Sequence, residues 1–502
     1  MSTTRHRTAR SDAIAGVRRR ASAVRPRRSK RRGVALVMVL GALTVLTVML
    51  TEFQDETSAE LGSALAERDA LRAEYAARSA VNLSRLLLAA EPTIRKSLAF
   101  MGPLMGAGTL PQLPVWQLAD ELLGAFNDEA RQESFAQLTS VDLSQGKGLA
   151  MEGVSFDVQI VDEDSKLNLN VPARGTPGGQ KQVGEQVMTL IGGPQYDSMF
   201  EERDEEGDYN TRETICGALV DWVDPDQDQY VCQGEDNAAQ AGSQAGEDSY
   251  YARLKQPYER KNAAFDSLQE IHLVRGVTEE FWRTFIQPDP DNPAERNVTV
   301  WGSGKVNINT ANAVVIHRLI CAYAVHPEAE PFCTDPTQFA LFYQIMQGKA
   351  MLTRGIPLFT SPKAFVQVML GKGGGLAKML LIDMFGLTPI SQVHSENYLL
   401  EKISSESKVF SIYATGVAHS GKRETRVRIH AVVDFRQAPP PGQSRNVQEL
   451  MEAAGLAPSA PAPTETETPS NPDDPMAELP EEALLSALQK DPGGNIIYYR
   501  LD

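Results

Sequence analysis

Between Gly33 and Thr51 the chain has no charged residue. That gap excludes a solvated surface segment and leaves a helix able to cross a bilayer core of ~30 Å. Proline is missing from Val34 to Glu91, and only Gly41 and Gly62 interrupt, so nothing in the stretch compels a helix to break. Cysteine is scarce: Cys216, Cys232, Cys321 and Cys333 are the whole set. No Cys-x-x-Cys spacing exists among them, which argues against a metal held by thiolates. The seven histidines are scattered, and there is neither a nucleophile-elbow pattern nor a His-Glu-x-x-His. Gly371–Gly375 reads Gly-Lys-Gly-Gly-Gly, without the glycine-to-Lys-Ser/Thr order of a phosphate loop, so a turn is expected there. These absences leave no catalytic group to propose, and a non-enzyme is expected.

What is present begins with charge. Residues 1–33 hold twelve Lys/Arg and one acid, Asp12, and end at Arg31-Arg32-Gly33-Val34. Basic residues before an apolar span mark the cytoplasmic side, so the chain beyond Glu52 is expected outside. A cleaved secretory signal fits poorly: the run exceeds the usual ~7–15 residues, and Leu50-Thr51-Glu52 is no small-x-small site. Removing the leader from the totals of 49 basic and 65 acidic residues leaves the remainder near −27. Such a balance repels nucleic acid and attracts cations. Outside the cytoplasm disulfides persist. Four cysteines allow three pairings. Sequence neighbours, Cys216–Cys232 and Cys321–Cys333, are the preferred choice, with free buried thiols as the plain alternative.

Helix-forming residues continue past the apolar run. Leu61, Leu65, Leu71, Tyr75, Leu83 and Leu86 share one face at 100° per residue, and Pro92 is expected to end the helix. Val154–Ile160 alternates as a half-buried strand. Phe410, Ile412 and Ala414 alternate in a second strand, and Val427, Ile429, Ala431, Val433 and Phe435 in a third. Ser420-Gly421-Lys422 joins those two as a hairpin. The intervening region reads as helices, at Leu268–Val274, Phe281–Phe285, Val314–Tyr323, Phe339–Met346 and Ala377–Phe385. The expected fold is α+β: a long N-terminal helix, a small antiparallel sheet and a large inserted helical domain. The expected parts are a leader over 1–33, a transmembrane and stalk helix over 34–92, and the first part of the head over 93–170. An inserted helical domain follows over 171–395, then a closing hairpin over 396–436 and a Pro-rich flexible tail over 437–502. The tail's end offers a helix at Pro480–Gln489 and a strand at Asn495–Leu501 that could add to a partner.

The acidic loop from Asp224 carries coordination chemistry. Counting Asp224 as one, Asp226, Asp228 and Glu235 stand at three, five and twelve, the spacing of a calcium loop. Gln229 stands where such loops place a turn-forming glycine, so a looser site is expected, with Glu247 and Asp248 as further ligands. A Cys216–Cys232 bridge would hold the loop in shape. A solvated acidic loop is the alternative.

Several short motifs follow one another in a familiar order. They are Asp164–Asn170, Ala218–Asp224, Gly246–Tyr251, Pro257-Tyr258, Leu273–Gly276 and Val306–Ala311, closed by Ser404-Ser405 and the hairpin. Over residues 25–436 the chain resembles the minor pseudopilin K family of type II secretion, also called general secretion pathway protein K. The resemblance implies a pilin-like fold and a leader cut after Gly33 by prepilin peptidase, with methylation of the new terminus, Val34. It implies an inner-membrane anchor with the bulk of the chain periplasmic. It also implies a pseudopilus-tip complex with minor pseudopilins of the I, J and H types, which starts assembly and supports export of folded proteins. Calcium binding carries over onto Asp224, Asp226, Glu247 and Asp248, whereas Asp228 and Glu235 rest on spacing alone. Most pilin-like proteins place Glu at the fifth mature position, where it neutralises a terminal ammonium; here Met38 stands there. K-type subunits lack that Glu, which fits the tip, as does an insertion that would obstruct a subunit stacked above.

Two other readings share features. A minor pilin of a type IV pilus would have the same leader and stalk, but Met38, the insertion and the Asn-Thr-Ala motif favour secretion. Leu268–Val277 and Val306–Ala311 faintly resemble helix-hairpin-helix modules that hold DNA phosphates, against which the acidic remainder argues.

Overall fold

The computed structural model describes residues 32–101, 114–124, 153–201, 203, 207–232, 247–353, 357–438 and 493–502. Residues 1–31, Glu235 and Pro480–Gln489 lie outside the described residues. The chain divides into two compact units, Met1–Glu67 and Arg68–Asp502.

In the first unit the described residues are helical. They belong to α1, Arg32–Met101. From Gly33 to Leu61 every residue is exposed, including Val34, Leu36, Leu40, Leu43, Leu46, Leu50 and Phe53. An apolar surface on all sides of a helix has no partner in water and calls for lipid or other helices. Among the described residues this is one helix long and apolar enough to cross a membrane. Pro92 does not end α1, which runs on to Met101. Proline's fixed φ is itself helical, so the cost there is a lost hydrogen bond and a steric push rather than a mandatory stop.

In the second unit, α1 from Arg68 packs on a four-stranded antiparallel sheet. Its strands are β1 Val154–Asp162, β2 Val409–Ser420, β3 Arg423–Asp434 and β4 Asn495–Leu501, in that spatial order. The period-2 alternation of β1 to β3 places Phe156, Val158, Ile160, Phe410, Ile412, Ala414, Ile429, Ala431 and Val433 on the face toward α1. The helix side of that core differs from expectation. Leu71, Tyr75 and Leu86 are exposed, and Ala73, Ala76, Ala77, Ala80, Val81 and Leu88 are buried instead. Small residues face inward because the backbones approach closely at Gly416. A β-carbon there would lie 1.9 Å from the Ala73 carbonyl oxygen and 2.7 Å from the Ala77 nitrogen. Buried Asp69 ties the helix to the hairpin by accepting from Arg68 and Arg423, each at 2.8 Å. Those guanidiniums, Arg423 foremost, hold its carboxyl below the ordinary range.

The expected tail requires correction at its end: Asn495–Leu501 is β4, hydrogen-bonded to β3 of its own sheet. Its apolar-aromatic pattern finds a free edge within the chain.

The insertion is two versions of one module, a duplication not read from the sequence. Lys166-x-Asn168-x-Asn170 opens the first and Lys305-x-Asn307-x-Asn309 the second. In each, the first Asn side chain accepts from the backbone N–H of the second. The Asn170 amide donates to the Phe265 carbonyl at 2.9 Å and accepts from the Phe265 N–H at 2.7 Å. Asn309 does the same with Phe359, at 3.0 and 3.1 Å. Each module then has a Phe-x-Ser, a short helix, a positive-φ glycine (Gly276 or Gly371) and a helix ending in a π turn, Trp282–Ile286 or Met379–Met384. Each closes in a two-residue parallel ladder, Leu167–Asn168 with Val298–Thr299 and Val306–Asn307 with Ile403–Ser404. The inserted unit therefore begins at Lys166 and ends at Ser404, wider than the expected 171–395. Its helices include α2 Pro177–Ile191, α3 Arg212–Asp221, α4 Ala313–Tyr323, α5 Pro336–Thr353 and α6 Pro362–Met369. The expected segments at 268–274, 281–285, 314–323, 339–346 and 377–385 are helical apart from the final residues Val274 and Phe385, several in 3-10 or π form.

Candidate functional site

The acidic loop leaves the end of α3. Thr211 caps that helix by accepting from the Thr214 N–H, and Cys216, Leu219 and Val220 anchor it in the core. Because α3 is held this firmly, its last carboxylates are drawn inside: Asp221 and Asp224 are buried, while Asp226 and Asp228 are exposed. Gln180 of α2 bridges the loop. Its side-chain amide donates to Asp224 Oδ2 at 3.0 Å and to Asp226 Oδ2 at 2.9 Å. The other Asp224 oxygen, Oδ1, is buried without a hydrogen-bond partner. Asp226 Oδ1 accepts from the Asp228 N–H, and Asp221 Oδ1 accepts from the Tyr230 N–H at 2.7 Å. Arg260 donates to the Asp221 carbonyl at 2.7 Å and pairs with Asp248 at 3.1 Å.

Burial pushes the Asp221 carboxyl up to about 8, against the hydrogen bond from Tyr230. Burial, and then the neighbouring Asp226, push Asp224 up to about 6. Two carboxylates sharing one amide, one orphaned oxygen and raised affinities for protons mark a place short of positive charge. A hard cation is chemically suited to it, since it would satisfy the orphaned oxygen and replace the amide between the two carboxylates. Among the described residues no three His, Cys, Asp or Glu side chains already stand in a metal-holding group.

Of the expected ligands, Asp224 and Asp226 are brought together. Asp248 reaches the same neighbourhood through Arg260. Asp228 contributes its backbone N–H, Glu247 opens the 3-10 turn Glu247–Ser249, and Glu235 lies outside the described residues. Asp221 was missed, although the Ala218–Asp224 motif contains it. Its signal was an acid three residues before Asp224 at helical spacing, which puts both at the same helix end. Cys216 is bridged to Cys232 across the loop, with Cα atoms 6.1 Å apart, and Cys321 to Cys333 at 5.7 Å.

A second polar cluster occupies the joint between sheet and modules. Asp162, Glu163, Asp164, Ser165 and Lys166 are all buried. Asp164 Oδ2 accepts from the Lys408 and Val409 N–H groups at 2.7 and 3.1 Å, and Oδ1 from the Ser303 N–H at 2.9 Å. Glu163 accepts from Thr299 and Ser411 hydroxyls at 2.6 and 2.5 Å and lies 3.5 Å from the Lys166 ammonium. Asp162 Oδ2 accepts from Thr310 at 2.5 Å and from Ser407. Burial, and then Asp164, push Asp162 up to about 7. Burial also pushes Glu163 up, but Lys166 and the two hydroxyls outweigh it and leave the group low. The cluster satisfies backbone N–H groups of Ser303, Lys408 and Val409 and hydroxyls of Thr299, Thr310, Ser407 and Ser411, so its chemistry is that of a joint.

Residues 165–286 match the family model of type II secretion system (T2SS) protein K. No curated protein matches the chain. Among solved structures, a chain of the GspK-GspI-GspJ complex from enterotoxigenic Escherichia coli Type 2 Secretion System is similar, with 16% identity and a TM-score of 0.33. That match covers 62% of this chain and 90% of the other. The matched residues 165–286 take in the first Asn module, α3 and the acidic loop, and over them the chain is similar to type II secretion system protein K.

Proposed function

We propose that this protein is the K-type minor pseudopilin at the tip of a type II secretion pseudopilus, where it initiates assembly and supports export of folded proteins across the outer membrane. The observation that carries the proposal is the protein K match over residues 165–286 in a chain that also has an uncharged helical run after a basic leader. Prepilin peptidase cuts after Gly33, and Val34 becomes the methylated terminus. The fully exposed apolar residues of α1 then lie in the inner membrane, or among the helices of other pseudopilins, with the bulk of the chain in the periplasm. Met38 supplies no carboxylate for the terminal ammonium of a subunit above, which suits a chain with nothing stacked on it. Minor pseudopilins of the I, J and H types are its partners.

Calcium is the proposed structural cofactor. Asp224 and Asp226 hold it, with Asp221 and Asp248 beside them and Asp228, Glu235 and Glu247 as further candidates. The ion supplies positive charge that lets buried carboxylates ionise without repulsion. The chain's own contribution is positional: α3 fixes Asp221 and Asp224, Cys216–Cys232 closes the loop, and Gln180 spans the carboxylates in the ion's absence.

Deletion of the gene in its host tests the proposal. Exoproteins are expected to accumulate in the periplasm while surface motility stays normal. Normal release with lost motility would point to a type IV pilus and overturn the reading.

A further inference from the structure

Strand β4 is held in an unusual way. Residues 439–492 separate it from the preceding described segment, and of Asn495–Leu501 only Tyr498 is not exposed, with Ile496, Ile497, Tyr499 and Leu501 still 42–49% exposed. The edge it covers belongs to the deepest part of the sheet: Ile429, Ala431, Val432 and Val433 of β3 are fully buried. The attachment rests on a backbone ladder from Asp434↔Asn495 to Ile429↔Leu501, with a register shift between Val432 and Val433. Beyond it, Arg428 and Asp502 exchange backbone hydrogen bonds at 3.0 and 2.8 Å.

Two side-chain features add selectivity to this ladder. The Arg85 guanidinium of α1 donates to the carbonyls of Gly493 and Gly494 at 3.0 and 2.8 Å. Gly494 has φ +74°, and a β-carbon there would meet Val433 Cγ1 at 2.8 Å, so only glycine passes between Arg85 and the strand. Four residues on, the Tyr498 ring lies 5.3 Å from Trp301 and 5.1 Å from His430. Trp301 lies between the two Asn modules and His430 in β3, so one aromatic ring joins sheet and insertion.

A half-exposed strand, fixed by a ladder, a guanidinium clamp and one aromatic seat, is the arrangement of a peptide added to a sheet edge. We propose that the outer edge of β3, with Arg85, Trp301 and His430, is a peptide-binding site that reads Gly-Gly followed four residues later by an aromatic ring. In this structure the chain's own residues 493–502 fill it, and that segment is its ligand. The segment itself carries every recognition element. The site does not depend on the pseudopilin reading, and each can fail without the other.

The test uses the full chain in detergent with a protease site inserted between 439 and 492. After cutting, an excess of fluorescent peptide spanning residues 493–502 is expected to bind, as read by anisotropy. Peptides carrying Gly494→Ala or Tyr498→Ala, and protein carrying Arg85→Ala, are expected to bind at least about tenfold more weakly, the loss of one well-formed contact. The uncut chain is expected to exclude the peptide, because its own strand competes at an effective concentration of about millimolar. No binding by the cut, folded chain would overturn the proposal, as would equal binding of all peptides. Should the cut chain unfold, the uncut chain carrying A431C and Y499C decides: these residues face each other in the register. A cross-link between them, mapped by mass spectrometry, is expected, and its absence would overturn the assignment.

Discussion

Replacing Gly416 by valine should push α1 off the sheet. The glycine lies where helix and strand backbones touch, and a β-carbon would stand 1.9 Å from the Ala73 oxygen and 2.7 Å from the Ala77 nitrogen. Non-bonded heavy atoms need more than 3 Å, so relief requires a shift of ~1 Å or more by a helix that is also fixed through Asp69 and Arg85. Overpacking of this kind costs up to about 3 kcal/mol, and backbone on both sides of the clash puts Gly416 at that upper end. Amide hydrogen exchange across Ala73–Val81 reads the effect locally. A loss of about 3 kcal/mol speeds exchange through local opening roughly 150-fold. Alanine at the same position should give a smaller change in the same direction. Gly62→Ala, where a β-carbon meets nothing within 4 Å, should leave these amides alone. A folded Gly416→Val protein with exchange in 73–81 unchanged within threefold would refute the close packing of helix on sheet.

Other outcomes follow from the sites described. Chelation is expected to lower the melting temperature of the chain beyond Glu52, and Asp224→Asn to abolish that difference; equal melting with and without excess chelator would remove the calcium proposal. Asp162, raised to about 7 by burial and Asp164, stabilises the fold fully below its unfolded value near 3.8 and loses that contribution as pH rises toward 7. Asp162→Asn should therefore flatten the fall in melting temperature between pH 5 and pH 7.5, and an unchanged slope would contradict the assignment. Removing the Cys216–Cys232 bridge by double substitution with alanine reopens a loop of sequence separation 16. For such a loop the expected loss is about 3 kcal/mol, read by denaturant unfolding, together with weaker calcium binding.

Much of the sheet was legible because alternation in β1, β2 and β3 matches burial on one face, and a period of two is hard to produce by other means. The uncharged run of α1 was equally plain. The packed face of α1 was not, because hydropathy ranks Leu71, Tyr75 and Leu86 above Ala73, Ala77 and Ala80. Close approach at Gly416 demands the small residues instead. The duplicated module escaped because its anchoring pairs, Asn170 with Phe265 and Asn309 with Phe359, are 95 and 50 residues apart. Unequal insertions hide the repeat, and only Lys-x-Asn-x-Asn and Phe-x-Ser survive as signals. In the acidic loop, linear spacing found Asp224 and Asp226 but treated the loop as a free twelve-residue unit. The structure roots it in a helix end, so Asp221 joins the cluster and Asp228 turns to solvent. The end of the tail was legible as a strand that could add to a partner, but its pairing is with an edge of β3 in its own sheet, which composition does not reveal.

The most direct measurement of the central claim is the mass of the mature chain extracted from membranes of its host. The account predicts an N-terminus at methylated Val34, with residues 1–33 removed. A membrane-bound chain that still begins at Met1 would contradict it.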